Sequence, residues 1–247
     1  MAVDSVGLLH PGEMGAAVGA VLREQGLRVV WASEGRSEET RARAEAAGLD
    51  DVGSVAEVAA SDVVFSICPP HAALDVARSA AGLGGVYVDA NAISPATAAE
   101  VAAAVDEFVD GGIVGPPPHE PGTTRLYLSG DCADAVAGLF RGSALDARVV
   151  ANASGVKMAY AAWTKGTAAM LLAIRELARR EGVEETLLAE WELSLPDLRS
   201  RYERAERSAA AKGWRWVGEM EEIAASFEAE GLPGGFHRAA AEVYRTR

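Results

Sequence analysis

Short runs of β-branched and apolar residues alternate with longer alanine-rich stretches over the first 150 residues. The runs have the length and composition of buried strands, and the stretches between them carry apolar residues at helical spacing. The strand-like runs lie at 3–9, 27–31, 63–67, 86–88 and 108–114, with an edge region at 125–128 and 148–150, and the helical stretches lie at 16–25, 38–47 and 72–81. Alternation of this kind predicts βαβ units, with helices covering a parallel sheet.

The strand pattern stops near Ala151, and the rest of the chain has only helical spacing. Residues 153–180 contain almost no helix breakers, which predicts one long, mostly buried helix. Proline and glycine then separate four further predicted helices, at 184–191, 196–212, 216–230 and 236–244. We therefore predict two domains, an α/β domain at 1–150 and a smaller all-helical domain at 151–247.

Charge and composition exclude several classes of function. The chain has 23 Lys and Arg against 36 Asp and Glu, for a net charge of −13, which disfavours nucleic-acid and anionic-membrane partners. The only two cysteines, Cys68 and Cys132, are too far apart in sequence for a thiolate metal motif, and no histidine spacing indicates a metal. Because we see neither a signal peptide nor a membrane span, we expect a cytoplasmic protein without a metal site.

A glycine-rich loop joins the first predicted strand to the first predicted helix, reading Val-Gly-Leu-Leu-His-Pro-Gly-Glu-Met-Gly from residue 6 to residue 15. Gly12 would let the backbone approach a pyrophosphate, and Gly15 would let the helix pack closely. Free N–H groups at the helix start would face the anion. His10 replaces the first glycine of the usual dinucleotide-binding pattern, so this position permits but does not favour a positive φ.

With Gly7 and Met14 included, the loop resembles the Gly-x-x-Gly-x-Gly-x-Met-Gly signature of the β-hydroxyacid and 6-phosphogluconate dehydrogenase superfamily. Other segments resemble the superfamily in the same order, and the carboxy-terminal region resembles a short helical domain of unknown function; these segments are 63–70, 87–95, 108–115, 122–126 and 155–158. The resemblance implies a Rossmann-type, doubly wound parallel sheet followed by the helical domain. It also implies the cofactor-binding residues His10, Pro11, Gly12, Glu13, Met14, Gly15, Cys68, Pro69, Pro70 and Asn91.

The turn after the second predicted strand bears on which nucleotide is bound. Arg36 offers a planar fork suited to a 2′-phosphate, and Ser33 and Ser37 can add short hydrogen bonds. This turn resembles the Asn-Arg-Ser/Thr turn of NADP-dependent relatives, so we expect NADP. The alternative is NAD, with Glu34 on the ribose diol and Arg36 merely solvated.

The predicted long helix carries the candidate catalytic residues Lys157, Lys165 and Tyr160. Lys157 stands where the superfamily places its lysine, which implies that it handles the proton on the substrate oxygen. Lys165 lies eight positions further along nearly the same face; the alternative for both lysines is ion pairing with glutamates. Tyr160 either donates a proton or packs. The helper residues that relatives place after the lysine are absent, with Ala161 and Thr164 in their positions.

The substrate side departs further from the superfamily. Relatives offer Ser-Gly-Gly to a substrate carboxylate, but residues 115–118 read Gly-Pro-Pro-Pro, and proline has no N–H. The candidate substrate residues are Asn91, Pro116, Pro117, Thr123 and His237, with a cap or core role as the alternative for His237. Relatives bury the long helix against a second subunit, so we expect a homodimer in which the partner's last helices line the cleft.

These observations predict an NADP-dependent oxidoreductase that transfers a hydride between the nicotinamide and a small hydroxy or carbonyl substrate. One alternative is an enzyme like the imine reductases, which share the fold and the NADP turn. Another is a nucleotide-binding sensor or partner subunit without catalysis, which the missing helper residues would permit.

Overall fold

The computed structural model describes residues 3–82 and 84–246. The chain divides after Lys157 into two compact units, Met1–Lys157 and Met158–Arg247. The division lies seven residues beyond position 150, where the strand pattern predicts the boundary. The shift arises because Ser154 and Lys157, in the first turns of a long helix, are hydrogen-bonded to a strand of the first unit.

The first unit contains an eight-stranded sheet in the order β3-β2-β1-β4-β5-β6-β7-β8. Every neighbouring pair is parallel except β6 and β7, which are antiparallel. The strands are β1 (Ser5–Leu8), β2 (Arg28–Trp31), β3 (Asp50–Asp51), β4 (Val63–Ser66), β5 (Val86–Asp89), β6 (Glu107–Val114), β7 (Thr124–Ser129) and β8 (Leu145–Val149). This order, with chain reversal between β1 and β4, is that of a doubly wound Rossmann sheet, which confirms the predicted fold class.

Helices cover both faces of this sheet. They are α1 (Glu13–Glu24), α2 (Glu38–Ala46), α3 (Val55–Val58), α4 (Ala73–Ser79), preceded by a short 3₁₀ turn (Pro70–Ala72), α5 (Pro95–Ala102) and α6 (Ala133–Gly138). Two apolar clusters fill the space between sheet and helices. All four residues of β4 and of β5 are buried, which explains why these strands read as continuous runs and not as alternating patterns.

Helices are the regular elements of the second unit in its described residues, with short turns between them. Helix α7 (Ala153–Arg180) leads into it, followed by α8 (Glu184–Ser194), α9 (Leu198–Ala229) and α10 (Gly235–Arg245). None of the helices in the described part of the chain has the length and apolar character needed to cross a membrane.

The prediction of separate helices at 196–212 and 216–230 is wrong, because α9 runs through both segments. Gly213 does not break the helix; it lies buried against the ring of Tyr244 on α10, where a Cβ would come within 3.7 Å of the Cδ1 atom. A glycine inside a helix costs about 1 kcal/mol relative to alanine. That cost is small for a helix of 32 residues, so α9 continues through Gly213.

Candidate cofactor and active site

The loop between β1 and α1 lies at the carboxyl edge of the sheet, where the strand order reverses between β1 and β4. The Leu9 N–H donates to the Phe65 carbonyl at 3.0 Å, which fixes the start of the loop on β4. Gly12 caps α1, and its own N–H donates to the His10 carbonyl at 2.8 Å. A Cβ on residue 15 would collide with that same carbonyl, so only glycine fits there.

This loop brings together the predicted residues of the phosphate site, since Pro11 and Gly12 precede α1 while Glu13, Met14 and Gly15 form its first turn. His10 is not in the left-handed region, as no described residue other than glycine has a positive φ. The loop therefore makes its turn without the positive φ that a glycine at position 10 would offer. The positive end of the helix dipole lies at the amino end of α1, which suits an anion.

His10 and Arg36 line one small cavity of about 210 Å³ between the loop, the turn after β2 and the segment after β4. The Nη2 atom of Arg36 donates to the Leu9 carbonyl at 3.2 Å. The Nε atom of Arg36 and the Nδ1 atom of His10 are buried without a hydrogen-bond partner. Burial and the nearby Arg36 guanidinium lower the pKa of His10 to about 4, so the imidazole is neutral at pH 7. Two unsatisfied polar atoms in one cavity are costly unless a ligand meets them.

Two further arginines, which the sequence analysis missed, point to the same region. Arg43 on α2 donates from Nη1 to the Pro11 carbonyl at 3.3 Å. Arg41 donates from Nη2 to the Ser33 carbonyl at 2.7 Å. In the sequence, the two residues form an Arg-x-Arg pair in the predicted helix directly after the turn, and this pair could have indicated them. Three guanidinium groups thus gather around the turn and the loop, although the first 150 residues carry 9 basic against 21 acidic residues.

The predicted turn residues other than Arg36 have mainly structural contacts. The N–H of Ser33 donates to Asp51 at 3.1 Å. Ser37 caps α2, where its hydroxyl accepts from the N–H of Thr40 at 3.3 Å. Glu34, the candidate for a ribose diol, is exposed.

Asn91 joins the ends of β4 and β5. Its Nδ2 donates to Ser66 at 3.1 Å and to Asp89 at 2.8 Å, and its Oδ1 accepts from the Cys68 N–H at 2.5 Å. Both amide N–H donors are therefore used within the protein. The Asp89 carboxylate that orients the amide is fully buried, and burial raises its pKa to about 7.

Asn91 also fixes the Cys68-Pro69-Pro70 segment by holding the Cys68 N–H. The thiol of Cys68 lies 3.7 Å from the Ser66 hydroxyl, and burial raises its pKa to about 12. A thiol of this kind is inert as a nucleophile at neutral pH. Pro69 and Pro70 lead into the 3₁₀ turn before α4, so the segment is a rigid wall at the end of β4.

Lys157 is anchored to β6. Its Nζ donates to the Ile113 carbonyl at 2.7 Å, and the start of α7 is held by Asp110, which accepts from the N–H of Ser154 at 2.8 Å and also bonds its hydroxyl. Gly112 makes this approach possible, because a Cβ there would lie 2.9 Å from the Cβ of Lys157. Ile113 is three residues past Asp110, the last β6 residue paired with β5, so the amine lies at the carboxyl edge of the sheet.

The proline-rich loop after β6 offers few donors. Thr124 donates to the Pro116 carbonyl at 2.5 Å, and Thr123 donates to the Glu120 carbonyl at 2.7 Å. Pro116 is exposed and Pro117 half-buried. The N–H groups that would hold a substrate carboxylate are absent from Pro116 and Pro117.

The other predicted residues lie in the second unit. Lys165 forms an ion pair with Glu219 on α9, in which both side chains are largely buried, and its ammonium lies 5.8 Å from the Trp216 ring centroid. This is the ion-pairing alternative for Lys165. Tyr160 is half exposed on α7. His237 is buried, with its ring centroid 4.6 Å from that of Phe227.

The fold is that of the 3-hydroxyacid dehydrogenases, and it carries a dinucleotide-type loop and a lysine at the carboxyl edge of the sheet. The chain belongs to the same family as an uncharacterized 28.5 kDa protein from the 7S RNA 5′ region of Methanothermus fervidus, with 30% identity over 190 residues that cover 74% of each chain. Residues 178–246 match a domain of unknown function, DUF1932, which confirms the resemblance of the carboxy-terminal region.

Solved structures extend the likeness over the whole chain. The conserved protein MTH1747 of unknown function, described as structurally similar to 3-hydroxyacid dehydrogenases, is 29% identical, with 98% of this chain and 96% of that chain covered at a TM-score of 0.71. A conserved hypothetical protein from Sinorhizobium meliloti is 27% identical, with 99% and 88% covered at a TM-score of 0.71. Mycobacterium tuberculosis 3-hydroxyisobutyrate dehydrogenase, solved with L-serine, is 18% identical (99% and 94% covered; TM-score 0.69). Aspergillus terreus reductive aminase, solved with NADPH and ethyl levulinate, is 17% identical (100% and 93% covered; TM-score 0.59). The last two proteins have the same fold as this chain, and their low identity supports no closer relation.

Proposed function

We propose that the protein is an NADP-dependent oxidoreductase that moves a hydride between the nicotinamide and a small hydroxy or carbonyl substrate. The observation that carries this proposal is the cavity lined by His10 and Arg36 near the amino end of α1, since each of these two residues also buries one polar atom without a hydrogen-bond partner. When bound, the dinucleotide supplies the hydride acceptor or donor.

The residues at this cavity fit a 2′-phosphorylated dinucleotide. The backbone N–H groups at the start of α1 would hold the pyrophosphate, and Gly15 keeps the helix close enough for them to do so. Arg36 would hold the 2′-phosphate through its guanidinium, with Arg41 close to the same turn through its bond to Ser33. The exposed Glu34 has no role in this arrangement. The cluster of guanidiniums supports NADP over NAD.

Lys157 would handle the proton on the substrate oxygen. The Ile113 carbonyl holds its amine at the carboxyl edge of the sheet, which is the edge where ligands bind in doubly wound folds. A positive charge beside a developing alkoxide stabilises the transition state more than the ground state. Because no proline N–H is available at Pro116 to Pro118, the substrate need not carry a carboxylate, and the proposal covers hydroxy and carbonyl compounds generally.

A second candidate is a nucleotide-binding sensor or partner subunit, and a specific observation favours it. Ala161 is buried, and the Thr164 hydroxyl donates to the Tyr160 carbonyl at 3.2 Å. The two positions where relatives place helper groups therefore offer no free acid or amide. A third candidate is an imine reductase-like activity, and the presence of Lys157 argues against it.

Calorimetric titration with NADPH and NADH tests the cofactor assignment. The wild type should bind NADPH more tightly, and Arg36→Ala should weaken NADPH binding by roughly 10- to 100-fold. NADH binding should fall by a clearly smaller factor, since only NADPH loses a charge-assisted contact to phosphate and both cofactors lose the bond from Arg36 to the Leu9 carbonyl. Arg28→Ala is the matched control, because Arg28 is exposed at the other end of β2 and pairs with Asp50 at 3.2 Å. Equal losses for both cofactors with Arg36→Ala would refute the assignment.

Turnover on a panel of carbonyl, hydroxy-acid and imine compounds then separates the three candidates. Oxidation of NADPH by carbonyl compounds, or reduction of NADP by hydroxy compounds, supports the dehydrogenase. Reduction of imines alone would support the second enzyme class. Tight NADPH binding without turnover on any compound would support the nucleotide-binding sensor or partner subunit.

A further inference from the structure

An apolar groove of about 540 Å³ lies within the second unit, between α7, the end of α9 and α10. Its walls include the aromatic rings of Trp163, Phe227 and Phe236 and the thioether of Met170. Trp163, Met170 and Phe236 are each at least half exposed. Apolar side chains of this size on one concave surface are uncommon unless something binds there.

None of the residues described as lining this groove carries a formal charge at neutral pH. The two polar side chains among them are Thr167 and His237. The Thr167 hydroxyl already donates to the Trp163 carbonyl at 2.6 Å, and burial lowers the pKa of His237 so that its ring is neutral. A charged ligand would lose its hydration here without gaining an ionic partner. The groove therefore fits an uncharged molecule.

His237 is the polar feature of the groove that lacks a protein partner. The residue is 8% exposed, and its Nδ1 atom is buried without a hydrogen bond. The ring rests against Gly166, where a Cβ would lie 3.3 Å from Cε1 and 3.4 Å from Nδ1. A buried ring nitrogen without a partner is unfavourable for the folded protein. A ligand with one hydrogen-bonding group would remove that cost.

We infer that this groove is a binding site for an uncharged, largely apolar small molecule that makes one hydrogen bond to the His237 ring. Its volume falls within the range of small-molecule sites. The site lies wholly within the second unit, and the inference does not depend on the proposed cofactor chemistry. The uncharged lining makes it unsuitable for a hydroxy-acid carboxylate.

Titration with N-phenyl-1-naphthylamine tests the inference, because this uncharged aromatic fluorophore has a single N–H group. Its emission should rise saturably, with one site per chain, and the emission of Trp163 in the groove wall should change in parallel. Ala173→Trp should abolish binding, because Ala173 is a small, exposed residue of the groove wall. His237→Phe should retain the ring packing and weaken binding about fivefold through loss of one hydrogen bond.

Ala210→Trp is the matched control, since it places the same bulk at an exposed position of α9 outside the groove; it should bind the fluorophore like the wild type. Circular dichroism checks that each variant is folded, and Ala239→Trp, a second exposed wall position, replaces Ala173→Trp if the latter is unfolded. Absence of saturable binding, or full binding by the filled variants, would overturn the inference. So would conversion of a wild-type dimer to a monomer by Ala173→Trp in sedimentation, because a second copy of the chain would then be the occupant.

Discussion

Arg43 on α2 donates from Nη1 to the carbonyl oxygen of Pro11 at 3.3 Å, so a helix that follows β2 holds the loop that follows β1. The bond joins α2 to the backbone of the loop between β1 and α1 without using a side chain of the loop itself. A residue in this position acts on the shape of the loop, which both NADP and NAD would need.

We therefore expect Arg43→Met to weaken NADPH and NADH binding by a similar factor, about three- to tenfold, as one hydrogen bond to the loop is lost. Calorimetry with both cofactors checks this. Arg141→Met, at an exposed position, is the control and should bind both normally. A loss confined to NADPH would mean that Arg43 contacts the 2′-phosphate directly.

Lys157→Met should lower turnover by roughly 100- to 10,000-fold, the usual contribution of a positioned acid or base. Methionine keeps the length and the helix propensity, so folding and NADPH affinity should be unchanged. Tyr160→Phe, at a half-exposed position of the same helix, should retain near wild-type turnover. The reverse result, with Tyr160→Phe inactive and Lys157→Met active, would place the proton donor one turn further along α7.

The stability of the protein should fall in acid because of His10. Its pKa is about 4 in the folded protein against 6.5 in the unfolded chain. The neutral ring therefore contributes stability that is fully present above pH 6.5 and is lost as the pH falls through 6.5 toward 4, by up to roughly 3 kcal/mol.

Urea unfolding of the wild type and of His10→Gln between pH 4 and pH 7.5 measures this contribution. The difference in unfolding free energy between the two should shrink or reverse toward pH 4, and taking the difference cancels the opposite contribution of Asp89. His119→Gln, at an exposed position, should follow the wild type. A pH-independent difference for His10→Gln would contradict the buried, neutral ring.

The sequence predicted the sheet, the glycine loop and the span of α7 correctly because each depends on local patterns. The prediction that α7 is mostly buried is wrong for the single chain, since seven of its 28 residues are buried. Runs buried on both faces are continuous in sequence, as in β4, and α7 spans Ala153–Arg180 as its lack of breakers indicates. Gly213 misled the prediction because one glycine costs a helix only about 1 kcal/mol, which the packing of α9 over its 32 residues outweighs. A local propensity cannot register packing against a distant side chain.

The candidate site was predicted less completely. The turn motif indicated that Arg36 belongs to the candidate site. Arg41 and Arg43 join the candidate site only because helix α2 places them beside the turn and the loop. The ligand contact of Asn91 stays a prediction. Its amide also joins two strand ends through Ser66 and Cys68, which the local sequence does not indicate. Contacts between segments far apart in sequence decided these roles.

Lys165→Met should destabilise the protein by roughly 3 to 5 kcal/mol, because it leaves the largely buried Glu219 carboxylate without its cation. The double variant with Glu219→Leu should recover most of that loss, since an apolar pair of similar volume replaces the ion pair. Urea unfolding measures both. If the single variant were as stable as the wild type, Lys165 would be available for another role.

The homodimer that we expect from the long helix α7 stays a prediction. Tyr160, Ile174 and Leu177 lie on one side of α7 outside the lining of the apolar groove, and all three are exposed. Such a stripe is typical of a helix packed against another helix. Sedimentation should show a dimer at micromolar concentration, and Leu177→Glu should yield a monomer, whereas Leu193→Glu on α8, also exposed, should not. A wild-type monomer would contradict the prediction.

The boundary between the two units falls inside the continuous helix α7, between Lys157 and Met158. Peptide bonds within a helix are poor substrates for proteases, which cleave extended and flexible segments. Cutting there would also leave new helix ends with unsatisfied N–H and carbonyl groups. The two units should therefore not be released as separate fragments by limited proteolysis, and expression of either one alone should require a new helix cap.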